Sequence, residues 1–111
     1  ERVLQGKTGH FTRAKGFDTF CPLGPFIQTE FTNNPELNIK AFVNGELKQD
    51  GNSRDMIYSI GEILEFVTSI MTLLPGDVVM TGTPEGVSQV KPGDEIKIEI
   101  ETLGTLINSV E

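Results

Sequence analysis

The dipeptide Asn44-Gly45 stands between an alternating apolar segment, Leu37 to Val43, and the stretch Glu46 to Gln49. Asn and Gly accept positive φ at both centres of a type I′ turn, whose backbone twist matches that of two antiparallel strands. The pair therefore predicts a hairpin and commits the chain to a sheet. On its first strand Leu37, Ile39, Ala41 and Val43 share one side, and Asn38, Lys40 and Phe42 the other. Asp94 to Glu101 alternates strictly, with Ile96, Ile98 and Ile100 against Glu95, Lys97, Glu99 and Glu101. Further strands are predicted from Pro25 to Thr32 and from Thr105 to Val110, and a short buried one over Asp77 to Thr81.

A helix interrupts the strands. Ser59-Ile60-Gly61-Glu62 has the spacing of a capping box. After it Ile60, Ile63, Leu64, Val67, Ile70, Met71 and Leu74 recur at steps of three and four, one apolar stripe over about residues 59–74 that Pro75-Gly76 stops. The opening stretch, Glu1 to Gly16, is polar and glycine-broken and reads as a loop. The predicted class is α+β, mainly β, a sandwich or roll with one main helix.

The 111 residues fit one domain, residues 1–111, with no internal repeat or linker. The net charge of −7, with nine Lys and Arg scattered from Arg2 to Lys97, excludes a basic stripe for nucleic acid or an anionic membrane. The uncharged run Phe66 to Gly76 is too short to span a bilayer. The single cysteine, Cys21, cannot close an internal disulfide, and no signal-peptide pattern opens the chain; both favour a soluble protein in a reducing cytoplasm.

Chemistry-bearing residues are few. His10 is the one histidine and lies in a loop, so a triad or a multi-histidine metal cage has little to build on. Cys21, between Phe20 and Pro22, reads as a small buried thiol rather than a nucleophile. Glu95, Glu99 and Glu101 read as the solvated side of a half-buried strand, with Lys97 among them, against the alternative of a cation site. Two segments hold more. Arg13 to Phe20 sets Lys15 among aromatics before Cys21-Pro22-Leu23-Gly24-Pro25, where its ammonium either holds a carboxylate or enolate oxygen or snorkels past an apolar surface to water. Thr81-Gly82-Thr83-Pro84-Glu85-Gly86 offers amides and hydroxyls to a ligand, or is a plain turn.

The strings Arg13 to Pro25, Val43-Asn44-Gly45-Glu46, Gln49-Asp50-Gly51-Asn52, Asp55-Met56-Ile57, Leu74-Pro75-Gly76-Asp77-Val78, Thr81 to Val87 and Lys91-Pro92-Gly93-Asp94 fall in one order along nearly the whole chain. In that order they resemble the fumarylacetoacetate hydrolase family, and within it the small acylpyruvase and 2-hydroxyhepta-2,4-diene-1,7-dioate isomerase members. The resemblance implies a mixed β-sandwich roll, usually a homodimer, that uses Mg²⁺, or Mn²⁺ or Ca²⁺, on 2-oxo acid or acylpyruvate substrates. It implies isomerisation, carbon-carbon bond hydrolysis or decarboxylation through an enolate that the metal stabilises as a Lewis acid. By position it makes Lys15 the active-site lysine beside the metal and Thr19 a neighbour of that metal. Gln5 and Thr83 become substrate contacts, and Arg2 a contact to the substrate carboxylate.

The departures from the family pattern bear equally on function. The family's metal ligands, a Glu-x-Glu pair and an Asp in an Asn-Asp-x-(Ser/Thr) run, belong ahead of Glu1 and are not in these residues. Glu99 aligns with a Glu that assists a catalytic His in the hydrolase itself, and that His also belongs upstream. His10 has no family role. The expectation is the C-terminal portion of a catalytic domain whose metal-binding half lies upstream. The rival is a non-catalytic structural or interaction module that keeps the fold without the metal site.

Overall fold

The computed structural model describes Lys7, Gly9, residues 11–30 and residues 35–111. In chain order these give α1 (Phe11–Lys15), β1 (Asn38–Val43), β2 (Glu46–Asn52), a 3-10 turn (Ser53–Asp55), α2 (Ile60–Ile70), β3 (Glu95–Ile100) and β4 (Gly104–Ser109). The strands form one four-stranded sheet in the order β2-β1-β3-β4. All of its neighbours are antiparallel. The α+β, mainly β class holds.

The predicted hairpin forms around its turn. Val43 pairs with Glu46, and Asn44 and Gly45 take φ of 51° and 80°, the positive pair that a two-residue loop demands. The Asn44 side chain then reaches beyond its own hairpin. Its amide donates to Asp94 Oδ1 at 2.9 Å, and its Oδ1 accepts from the Glu95 amide at 2.9 Å. The Lys91 amide donates to Asp94 Oδ2 at 3.0 Å. Asp94, 6% exposed, is thereby bonded on both carboxylate oxygens. The Asn44 amide and then the Lys91 backbone N–H hold its carboxyl below the ordinary 3.8, against the opposing effect of burial. Val43 to Glu46 and Lys91 to Asp94, two strings that carry part of the resemblance, are thus one structural staple between the turn of β1–β2 and the start of β3.

Register sorts the two faces. Ile39 stands opposite Ile100, Ala41 opposite Ile98 and Val43 opposite Ile96, with Leu106 beside Ile98, so one face is apolar. The other is a polar lattice. Lys97 lies 4.1 Å from the Phe42 ring centroid and 2.7 Å from Glu99 Oε1. Asn38 donates to Glu101 Oε2 at 2.7 Å and accepts from Asn52 at 2.7 Å. The acidic residues of β3 are the solvated side of a strand, and among the described residues no three His, Cys, Asp or Glu side chains converge to hold a metal ion.

The capping box is complete: Ser59 Oγ accepts from the Glu62 amide at 3.2 Å, and the Glu62 carboxylate accepts from the Ser59 amide at 2.7 Å. The Ser59 hydroxyl also donates to Glu62 Oε2 at 2.7 Å, and this bond first and the Ser59 amide second hold the Glu62 carboxyl below 4.5. The helix stops at Ile70, before the expected Pro75-Gly76. The Met71 amide makes the last helical bond, to Val67 O at 2.9 Å, and Met71 itself is already extended at φ −143°, ψ 154°. Thr68 and Ser69 turn their hydroxyls back onto Leu64 O and Phe66 O, both at 2.7 Å.

Other expectations are corrected. Residues 25–30 of the predicted strand Pro25 to Thr32 form no strand, and 31–34 lie outside the described residues. Asp77 to Thr81 is neither a strand nor buried: Val78 is 54% and Met80 75% exposed. Apolar alternation supplies a face, but a strand also needs a neighbour to take its N–H and C=O groups, and neither segment has one among the described residues. Within the expected opening loop, Phe11–Lys15 is helical and packs Ala14 to zero exposure. Cys21 is exposed, with Phe20 and Pro22 on either side exposed as well.

Candidate active site

Lys15 ends α1, where Gly16 lets the chain leave: the Gly16 amide donates to Thr12 O at 2.8 Å, and a Cβ on Gly16 would lie 2.6 Å from that same oxygen. The Lys15 ammonium lies 5.2 Å from the ring centroid of Phe11, one helical turn earlier. That is a cation–π contact on an exposed side chain. Phe17 and Phe20, the aromatics expected beside Lys15, pair with each other at 5.2 Å. Their turn is closed by the Phe20 amide donating to Phe17 O at 3.2 Å. It sets Thr19 at φ 68°, a left-handed conformation that ordinarily takes Gly or Asn and that a β-branched residue rarely adopts. Strain of this kind persists where surrounding structure enforces it, and it clusters at functional sites. Gln5, Arg2 and His10 lie outside the described residues.

Thr83 is held differently. The turn Thr81 to Gly86 lies against β2, and β2 is shaped to receive it. Ala41 pairs with Gln49 but Phe42 with Leu47, so Lys48 is an extra residue, a β-bulge. The bulge shifts the register by one and puts Gln49 and Gly51 on the apolar face, opposite Ala41 and Ile39. Gln49 Nε2 donates to Thr83 Oγ1 at 2.9 Å, to Pro84 O at 2.8 Å and to Glu85 O at 3.2 Å. The Pro84 ring seats on Gly51, where an added Cβ would come within 3.1 Å of it. Gly86, at φ 95°, presses on the carbonyl of the bulged Lys48 so closely that any Cβ there would collide with it. Gln49, which the sequence reading did not single out, is therefore the residue that fixes Thr83. No hydrogen bond among the described residues joins Lys15, Thr19 and Thr83.

The arrangement supplies a cation at the end of a short helix, a strained threonine four residues on, and a pinned turn that presents a hydroxyl. These are groups that bind carboxylate and keto oxygens. A sequence profile of the family described as Fumarylacetoacetate (FAA) hydrolase C-terminal matches residues 1–111. The chain belongs to the fumarylacetoacetate hydrolase family. The 4-hydroxyphenylacetate degradation bifunctional isomerase/decarboxylase of Salmonella dublin is 44% identical over 100 residues, 88% of this chain and 23% of that protein. The structure of 2-hydroxyhepta-2,4-diene-1,7-dioate isomerase from Mycobacterium marinum matches at a TM-score of 0.93 with 47% identity, over 98% of this chain and 43% of the other. Maleylpyruvate hydrolase from Sphingobium sp. SYK-6, solved in complex with manganese(II) ion and pyruvate, matches at 0.80 with 42% identity, over 85% of this chain and 36% of the other. Fumarylacetoacetate hydrolase relatives thus include isomerases, a decarboxylase and a hydrolase. The chain spans under half the length of relatives it matches, 46% and 42% for two of them.

Proposed function

We propose that the protein carrying this chain is a divalent-metal-dependent enzyme that acts on a small 2-oxo acid or acylpyruvate, by isomerisation, carbon-carbon bond hydrolysis or decarboxylation through an enolate. The observation that carries this reading is the likeness to maleylpyruvate hydrolase, which was solved with manganese(II) and pyruvate. Lys15 donates from its ammonium to the substrate's carboxylate or enolate oxygen, where negative charge grows. Thr83 and Gln5 contact the substrate, Arg2 its carboxylate, and Thr19 lies near the metal. The carboxylate ligands for Mg²⁺, Mn²⁺ or Ca²⁺ belong to a metal-binding half upstream of these residues. The whole enzyme works as a homodimer in the cytoplasm, and the 111 residues form the C-terminal portion of its catalytic domain.

The test is turnover of the complete protein on oxaloacetate and on acylpyruvates, followed by the loss of enol absorbance and by pyruvate release, with Mn²⁺ or Mg²⁺ and again after chelation. Turnover that chelation abolishes and either ion restores is the expected result. A folded complete protein that turns over none of these substrates is the non-catalytic module instead.

A further inference from the structure

The geometry points to Gln49 as a positioning residue that turns the Thr83 hydroxyl outward as a hydrogen-bond donor, so that the ligand atom received there is an acceptor oxygen. The inference rests on the 2-oxo acid reading for the identity of the ligand, and on hydrogen-bond arithmetic for the rest. A threonine hydroxyl has one hydrogen and two lone pairs. Gln49 Nε2 has two hydrogens for three acceptors: it donates into one lone pair of Thr83 Oγ1 at 2.9 Å and to Pro84 O at 2.8 Å, and Glu85 O at 3.2 Å shares one of these hydrogens in a longer, bifurcated contact. Both carbonyls nearest the hydroxyl in sequence are thereby engaged by the same amide. Thr83 accepts a hydrogen bond and, among the described residues, donates none. Its hydrogen is therefore directed to whatever occupies the open side of the turn. A carboxylate or keto oxygen suits that position, and an ammonium or amide N–H does not.

The same contacts explain why a glutamine, and not another polar residue, stands here. Asn is one methylene too short to reach three acceptors from β2, and the acceptor oxygens of a carboxylate would face two carbonyls. The bulge at Lys48 is what brings the Gln49 side chain to this face at all.

The experiment is a double-mutant cycle in the complete protein, with pyruvate as the probe in the presence of Mn²⁺, and dissociation constants read by calorimetry. The variants are Gln49→Met, Thr83→Val and the pair, each checked for folding by circular dichroism. Each single change should weaken pyruvate binding roughly three- to tenfold, the worth of one neutral hydrogen bond. The pair should be no weaker than Thr83→Val alone. A role confined to holding the turn together would cost the same affinity with or without the Thr83 hydroxyl, and that result overturns the assignment, as does a Gln49→Met protein that binds pyruvate like the wild type. The rotamer of Thr83, read from its three-bond side-chain couplings, supplies a reading that needs no ligand. Should the wild-type protein bind no pyruvate, the 2-oxo acid reading fails, and the assignment of Gln49 is decided by that rotamer: a single Thr83 rotamer in wild type that averages in Gln49→Met upholds the pin on Thr83, and unchanged couplings overturn it.

Discussion

Lys15 and Thr83 present oxygen-binding groups of different strength, and the difference is testable. A preorganised donor facing developing charge is worth about 2.7–4 kcal/mol of barrier, roughly a hundred- to thousandfold in rate, whereas one neutral hydroxyl contributes about 0.5–1.5 kcal/mol. Lys15→Met keeps the stem over Phe11 and removes the charge, so in the complete protein kcat for a 2-oxo acid should fall by the larger factor while circular dichroism is unchanged. Thr83→Ala should fall by the smaller. A folded Lys15→Met enzyme with most of its turnover would return Lys15 to the snorkelling alternative. Thr19 offers a second test with its own control. Thr19 and Thr102 both sit at φ 68° in the third position of a tight turn, each at a cost of about 1–2 kcal/mol for a left-handed L-residue. Glycine at either site relieves strain, partly offset by the greater freedom it gives the unfolded chain. Thr19→Gly and Thr102→Gly should therefore raise the melting temperature alike, but only Thr19→Gly should lower turnover. Equal turnover in both would mean that the strain at Thr19 serves the turn and not the site.

Between elements, the Asn44–Asp94 staple predicts a pH dependence whose sign follows from its bonds. The folded state holds the Asp94 carboxyl below its ordinary 3.8, so folding favours the ionised form. That stabilisation is complete above pH 3.8 and is lost as the pH falls below it, through the lowered folded value. Asp94→Asn places an amide where two N–H groups point. In urea titrations it should be less stable than wild type at pH 7, with the difference shrinking below pH 3.8; a constant difference down to acid would show that Asp94 contributes by packing alone. These elements also show how far the sequence could be read. The Asn44-Gly45 turn, the Ser59–Glu62 box and the β3 pattern are local signals; the turn and the box formed as expected, and β3 formed as a strand, though residues 96–100 are all half-buried rather than alternately buried and exposed. Asp77 to Thr81 carried the same kind of apolar signal and failed, because pairing is decided by a neighbour that local pattern does not contain. The candidate residues Lys15, Thr19 and Thr83 were legible through the family strings alone. Gln49 was not: an unbulged hairpin from Val43–Glu46 would pair Gln49 with Lys40 on the polar face, and the extra residue at Lys48 moves it to the other.

At the scale of the molecule, the sheet has a well-bonded polar face and an apolar face that the described elements cover only in part. Close packing between elements is among the strands, and among the described residues no large side chain is fully buried. Phe26 is 72% exposed, Ile57 92%, Phe66 67% and Ile70 63%. Water around such surface is released when it meets other apolar surface, at about 25 cal/mol per Å². Contiguous patches beyond a few hundred Å² mark surfaces that are covered in use. The net charge of −7 opposes association, but its repulsion is screened over about 8 Å at physiological salt, while the apolar attraction is not. The 111-residue chain prepared alone should therefore associate, with sedimentation coefficients that rise with concentration and more steeply at higher salt. The polar edits Ile70→Lys and Phe66→Glu, on the open side of α2, should reduce the association without lowering helix content, because neither side chain is buried. The complete protein, in which relatives carry more than as many residues again as this chain matches, should show a single sharp melting transition. A monomeric 111-residue chain with a concentration-independent, reversible transition would mean that the sheet and α2 are self-sufficient as they stand, and that the exposed apolar residues are not a surface awaiting a cover.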